Sequence, residues 1–313
     1  MKRLCLFCLA LAMLLSLCAC EAQPAAESGR LSIVTTVFPA YDFARQLAGE
    51  LAEVTLLLPP GAEAHSFEPT ARELLRIRSC DLFFYTGGES EAWADALLKG
   101  QDAPVNSLRM LDCVDALEEE LKEGMQTEDG EDGEDGETEF DEHVWTSPVN
   151  AIAICRALAA KLAALDAENA AVYAANCDSY CEALAALDRD FRETVAAGQR
   201  RTLIFADRFP VRYFTEEYGL QYYAAFPGCA EDTEPAAGTV AFLIDKVREG
   251  QIPAVFYIEF SNEKMADAIC EDTGCRKLLF HSCHNVTAAQ LKAGVSYLEL
   301  MRGNVDSLRE ALS

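Results

Sequence analysis

Four histidines in a chain of 313 residues fall at three places, each with the residue types a metal ligand set needs. They are His65 in Ala64-His65-Ser66, His143 in Asp141-Glu142-His143-Val144-Trp145, and the pair in His281-Ser282-Cys283-His284. Neutral imidazole is the side chain that zinc and its neighbours recruit most often. Zinc takes four N, O or S donors at about 2.0–2.3 Å with no d-electron preference for another geometry, so three imidazoles and a carboxylate would satisfy it. Manganese wants a harder, oxygen-rich set and ranks behind zinc for such residues.

The elements around these histidines follow from hydrophobic period. Leu31 to Val37, Val54 to Leu58 and Asp81 to Thr86 are β-branched and aromatic runs that predict strands. Helical spacing covers Tyr41 to Ala48, Thr70 to Ser79 and Glu91 to Leu98 between them. That alternation is βαβ logic and predicts a mostly parallel sheet covered on both faces. After Pro148 the pattern turns to sustained helix, Asn150 to Leu165 and then Ala167 to about Ala197, with Leu184, Leu187, Phe191 and Val195 on one face. The second of these, about 45 Å long at ~1.5 Å per residue, could run past two lobes.

A second α/β series follows. Strands are expected near Thr202 to Ala206, Gln221 to Ala225, Ala254 to Glu259 and Lys277 to His281, and helices near Val211 to Tyr218, Ala236 to Glu249 and Glu263 to Thr273. A closing helix is expected from Ala288 to Leu312. The fold class is therefore α/β, two lobes with mostly parallel sheets joined by a long spanning helix: 30–165, the helix 166–198, and 199–313. His65 and His143 fall to the first lobe, His281 and His284 to the second, each near a strand end or in a loop, where such sheets expose ligand groups.

At the N-terminus Lys2 and Arg3 precede an uncharged, leucine-rich stretch from Leu4 to Ala19. It reads as a signal peptide over 1–19, since a membrane span needs about 20 apolar residues. The end, Leu17-Cys18-Ala19-Cys20, resembles the bacterial lipobox, with Cys20 the expected lipidated residue and a freely secreted chain the alternative. Residues 20–29, rich in Ala, Pro, Glu and Ser, have little to bury and read as a tether. The mature chain is therefore expected outside the cytoplasmic membrane, held by lipid.

The formal net charge is −26, which argues against a nucleic-acid partner. Half of it lies between Glu118 and Glu142, where fourteen acids face one lysine and Glu-Asp-Gly repeats three times. Such a segment cannot offset its own ordering entropy and is expected as a mobile acidic loop over 118–142. Nine of the thirteen cysteines remain once the signal peptide and the anchor are set aside, an odd number, so at least one stays unpaired within a monomer. Cys270 with Cys275 is the pair to test for a disulfide, and Cys177 with Cys181 reads as packing within a helix.

Together, Ile33-Val34-Thr35-Thr36-Val37-Phe38-Pro39, then Pro59-Pro60-Gly61 to His65-Ser66-Phe67-Glu68-Pro69-Thr70, then Asp141-Glu142-His143-Val144-Trp145-Thr146-Ser147-Pro148 resemble the zinc and manganese solute-binding lipoproteins of bacterial ABC transporters. Tyr213-Phe214, Tyr218-Gly219-Leu220 and Tyr297-Leu298-Glu299-Leu300-Met301 with Asn304 fit the same family, so the match spans nearly the whole mature chain. The resemblance implies a metal held in the cleft between two lobes by histidines and a carboxylate. It carries over to His65, after the Pro-Gly loop, and to His143, in Asp-x-His-x-Trp.

The second lobe departs from the family. Where a third histidine is usual, the chain reads Phe205-Ala206-Asp207-Arg208-Phe209-Pro210, and the late strand that would end in an aspartate ligand ends in His281. An exchange of roles makes His281 the expected third ligand, with Asp207, Glu259 or water in the fourth position. His284, three residues on, could also ligate or be a loop histidine bonded to backbone, and Cys283 could supply a thiolate or simply be buried.

The implied function is an extracytoplasmic receptor of an ABC importer, expected as a monomer, that captures Zn²⁺, with Mn²⁺ second, and passes it to a permease and its ATPase. It is not expected to be an enzyme. The alternatives are a zinc-dependent hydrolase, in which three histidines leave one position for an activated water, and a surface adhesin on the same fold.

Overall fold

The computed structural model describes residues 29–100, 104–126, 139–230 and 235–313. The expected signal peptide, Cys20, nearly all of the tether and the Glu-Asp-Gly repeat lie outside the described residues. Two four-stranded parallel sheets carry the fold, and both have the same topology. In the first, β1 (Leu31–Thr35) lies between β2 (Ala52–Leu56) and β3 (Leu82–Tyr85), with β4 (Ser107–Arg109) beyond β3; the order is β2-β1-β3-β4. In the second, β5 (Thr202–Phe209), β6 (Gln221–Pro227), β7 (Ala254–Tyr257) and β8 (Arg276–Leu279) take the order β6-β5-β7-β8.

In each sheet successive residues point to opposite faces, and the core divides accordingly. Ile33, Leu82 and Phe84 from the first sheet, and Leu203, Phe205, Ala254 and Phe256 from the second, belong to one continuous apolar cluster. Their neighbours point outward. Val34, Phe83 and Tyr85 pack in a separate cluster under α2 (Ala71–Ser79) and α3 (Ala92–Lys99), whereas Ile204, Ala206 and Val255 pack under α7 (Ala237–Gly250) and α8 (Lys264–Thr273). Between the inner faces lie α1 (Phe38–Ala48), α4 (Pro148–Leu165) and α5 (Ala170–Ala197). Leu184, Leu187 and Phe191 of α5 are buried as their spacing predicts, each burial favouring the fold by about 1.5–3 kcal/mol. Helix α4 is long and apolar enough to cross a membrane, yet it buries Ile154, Leu158 and Leu162 in this central cluster.

Three differences from the sequence expectations have physical causes. Strand β4 was not predicted, because three residues flanked by polar sequence carry no period. Strand β5 runs on past Ala206 through an irregularity between Phe205 and Arg208, so Asp207 and Arg208 stand within the strand and not beyond it. The closing helix is two helices, α9 (Ala288–Ala293) and α10 (Tyr297–Leu312). Gly294 takes the left-handed conformation that ends α9, and Ser296 with Glu299 forms a capping box that starts α10. Arg45 of α1 donates to the Gly294 and Val295 carbonyls left exposed at the break.

Candidate metal centre

Every histidine here lies on chain that has just left the C-terminal end of a strand or a loop beyond it. His65 sits in the segment between β2 and α2, which ends where Thr70 and Glu73 form the capping box of α2. His143 precedes a short 3₁₀ turn, Val144–Thr146, that leads into α4. The 281–284 segment follows β8.

The structure brings His65, His143 and His284 together. Their donor atoms lie within 4.8 Å of one another, and their ring centroids are 4.9–5.4 Å apart, with the His284 ring edge-on to both others. Trp145 closes one side, its ring 5.0 Å from His284 and 5.5 Å from His143. The three histidines line a cavity of about 30 Å³ that Arg208, Gly228, Glu259 and Asn285 also border, room for an ion or a water.

Which nitrogen faces the centre is set by two carboxylates. His65 Nδ1 is 3.0 Å from Glu63 Oε1, and His143 Nδ1 is 3.1 Å from Asp141 Oδ1. With Nδ1–H donated to an acid, Nε2 carries the lone pair, and both Nε2 atoms are buried without a hydrogen-bond partner. An unsatisfied buried acceptor costs about 1–3 kcal/mol, so two side by side are a standing cost that a coordinated cation removes. Burial, reinforced by the neighbouring histidines, pushes His143 and His284 well below the ordinary imidazole range and keeps both neutral, the form that binds metal.

The supporting acids are themselves held. Burial opposes the charge on Glu63, but hydrogen bonds to His65 and Arg208 outweigh it and hold the carboxyl below its usual range; the Arg208 Nη2 to Glu63 Oε2 distance is 3.0 Å. Burial pushes Asp141 up to about 7, against the hydrogen bond it accepts from the His143 amide at 2.8 Å. Tyr213 anchors this segment by donating to the Asp141 carbonyl at 2.8 Å. Gly228 touches His143 from the other side, where a Cβ would come within 3.2 Å of the ring and 3.0 Å of the Phe209 carbonyl.

His281, the expected third ligand, is not a member of this cluster. Its Nδ1 accepts from the Cys283 amide at 3.0 Å, and its backbone is clamped by Asn304, which accepts from the His281 amide at 2.7 Å and donates to its carbonyl at 2.8 Å. Cys283 has a left-handed backbone, φ 64°, and this reversal presents His284 to the cluster instead. Cys283 is itself wholly buried, with its Sγ against the His281 carbonyl, and burial pushes its thiol far up. Neither expected fourth ligand is in the group. Asp207 accepts from the Arg208 amide at 2.8 Å and the Ile258 amide at 3.3 Å. Glu259 accepts from the Ser282 amide at 2.7 Å, the Ser282 hydroxyl at 2.6 Å and the His284 amide at 3.2 Å, so it holds the loop that carries His284.

Sequence reasoning missed Glu63, Arg208 and Gly228. A signal for the first was present: Glu63-Ala64-His65 and Asp141-Glu142-His143 both place an acid two residues ahead of the histidine.

Residues 33–311 match the family model ZnuA, the periplasmic component A of the zinc-uptake complex. The zinc-binding lipoprotein AdcA of Streptococcus pneumoniae is 30% identical over 300 residues, 95% of this chain and 58% of AdcA, so the chain spans little more than half of that relative. The high-affinity zinc uptake system protein ZnuA of Bacillus subtilis is 28% identical over 290 residues, covering 91% of this chain and 89% of that protein. The crystal structure of the Zn(II)-bound ZnuA-like domain of Streptococcus pneumoniae AdcA superposes with a TM-score of 0.76 at 28% identity, over 91% of this chain and 99% of that one.

Proposed function

From the premise that this chain belongs to the family of the zinc-uptake complex component A, we propose that it is the extracytoplasmic zinc receptor of an ABC importer. It would capture Zn²⁺ on His65, His143 and His284 and deliver it to a membrane permease driven by an ATPase. The observation that carries this reading is the pair of buried, unpartnered Nε2 atoms, each with its Nδ1 committed to a carboxylate, converging with a third imidazole. Three nitrogen donors suit zinc and leave one position for water, whereas manganese would ask for more oxygen.

The ligands come from both halves of the chain, 30–165 and 199–313, so affinity depends on how the halves stand about the helix of 166–198. A signal peptide over 1–19 would direct export, and a lipid on Cys20 would hold the receptor at the outer face of the membrane. The family is one of transport components, which favours the receptor over the hydrolase.

Calorimetry on metal-free protein tests the site. His65→Ala, His143→Ala and His284→Ala should each weaken zinc by at least about tenfold, the loss typical even of groups that only support a ligand. Unchanged affinity in His65→Ala and His284→Ala would reject the shared site.

A further inference from the structure

Beside the three-histidine cluster, and sharing one member with it, is a second group: donor atoms of His65, Glu142 and Cys229 also lie within 4.8 Å of one another. No part of the proposed zinc capture uses Glu142 or Cys229. We infer that this group is a second metal position, an N,O,S set for a thiophilic divalent cation such as zinc or cadmium, that alternates with the three-histidine position through His65.

The nitrogen is the first support. The His65 side chain is 5% exposed, its Nδ1 is committed to Glu63, and Nε2 is buried without a partner. That one lone pair is what both donor sets need, and it can serve one cation at a time. The two positions are therefore alternative seats for a single ion.

The carboxylate is the second. Glu142 is 2% exposed, and the 87–90 turn grips it: its Oε1 accepts from the Ser90 amide at 2.8 Å, its Oε2 accepts from the Ser90 hydroxyl, and Gly88 has no Cβ because one would overlap the Glu142 side chain. Each carboxylate oxygen has a further lone pair, so a cation can be added without breaking these bonds. The thiol is the third. Cys229 is a free cysteine in the turn after β6, next to Gly228, which lies against His143, and its amide donates to Glu119 at 3.4 Å. A tetrahedral zinc set has donors about 3.3–3.8 Å apart, so a group whose donors lie within 4.8 Å of one another contracts by at most about 1.5 Å, within the reach of side-chain rotation.

On binding, the Cys229 thiol releases its proton to solvent as the metal–sulfur bond forms, and Glu142 and His65 donate lone pairs. No oxidant or further reactant is needed. Sulfur makes this seat the softer of the two, so cadmium should prefer it, whereas zinc, which imidazole suits, should sit mainly on the three-histidine seat.

The proposal rests on the three-histidine reading for the sharing of His65, and ultraviolet spectroscopy separates the two. One equivalent of cadmium added to the whole metal-free protein should give a sulfur-to-metal charge-transfer absorption. That absorption should be lost in Cys229→Ser and Cys229→Ala and kept in His284→Ala, which damages only the other seat. A wild-type spectrum without it, or one that persists in both Cys229 variants, overturns the proposal. If the absorption behaves as expected but zinc affinity is untouched by His143→Ala and His284→Ala, the three-histidine seat fails and the N,O,S seat stands.

Discussion

At the residue scale, the assignment of His284 over His281 is the sharpest consequence of the geometry. His281→Ala removes a ring whose Nδ1 faces a backbone amide, so it should lower stability by about 1–3 kcal/mol while leaving zinc affinity within a few-fold. His284→Ala should do the reverse, and parallel thermal melts and zinc titrations of both variants distinguish them. Glu63→Gln keeps the shape but offers Arg208 no charge and His65 a weaker acceptor, so zinc affinity should fall about 10–100-fold by titration. His65 and His143 were legible as candidates in the sequence because a Pro-Gly loop precedes the first and Asp-x-His-x-Trp surrounds the second. His284 in preference to His281 was not, since in His-Ser-Cys-His the choice of the inward ring depends on the left-handed turn at Cys283, a conformation that a cysteine does not advertise.

At the scale of elements, the turns after the strands do the positioning, and their polar groups are buried with them. Glu91 shows the cost. It accepts from the Thr86 and Gly87 amides at 2.8 Å each, both on Oε2, and so fixes the turn that holds Glu142. Burial, with the Glu142 charge adding to it, pushes its pKa from 4.5 up to about 7. A carboxyl raised in the folded state favours folding below its unfolded pKa, and that contribution is lost as pH rises through 7. Over this window stability should fall by up to about 3 kcal/mol from this group. Glu91→Gln retains an oxygen for both amides and has no charge, so its stability should fall less steeply across the window, where Asp141 still titrates, and exceed wild type at pH 8. Denaturant midpoints at pH 5 and pH 8 check this; an unchanged pH slope in the variant would refute it. Most of these elements were readable from period, because two-faced parallel strands and long amphipathic helices carry strong patterns. The break at Gly294 was not: Val295, Leu298 and Met301 continue the apolar stripe across it, and the left-handed Gly294, the capping box and the Arg45 contact mark the stop.

At the scale of the whole molecule, the two sheets are not independent folding units. Their inner faces, α1, α4, the length of α5 and the buried side of α10 belong to one apolar cluster, and polar bonds cross it: Trp145 donates to the Ser282 carbonyl at 2.8 Å, Tyr297 donates to the Trp145 carbonyl at 2.6 Å, and Asn285 donates to the Pro59 and Ala62 carbonyls at 2.9 Å. Separating the halves would expose that cluster and strand those groups, leaving each half only the smaller cluster on the outer face of its sheet. Residues 31–313 should therefore unfold in a single calorimetric transition, even though the ligands come from both halves. Zinc, binding only where His65, His143 and His284 are assembled, should raise the midpoint without splitting the transition, by the equivalent of about 2.7 kcal/mol when free zinc is a hundredfold above its Kd. Two resolved transitions in metal-free protein, merging only on zinc addition, would mean that the cation and not the shared core joins the halves.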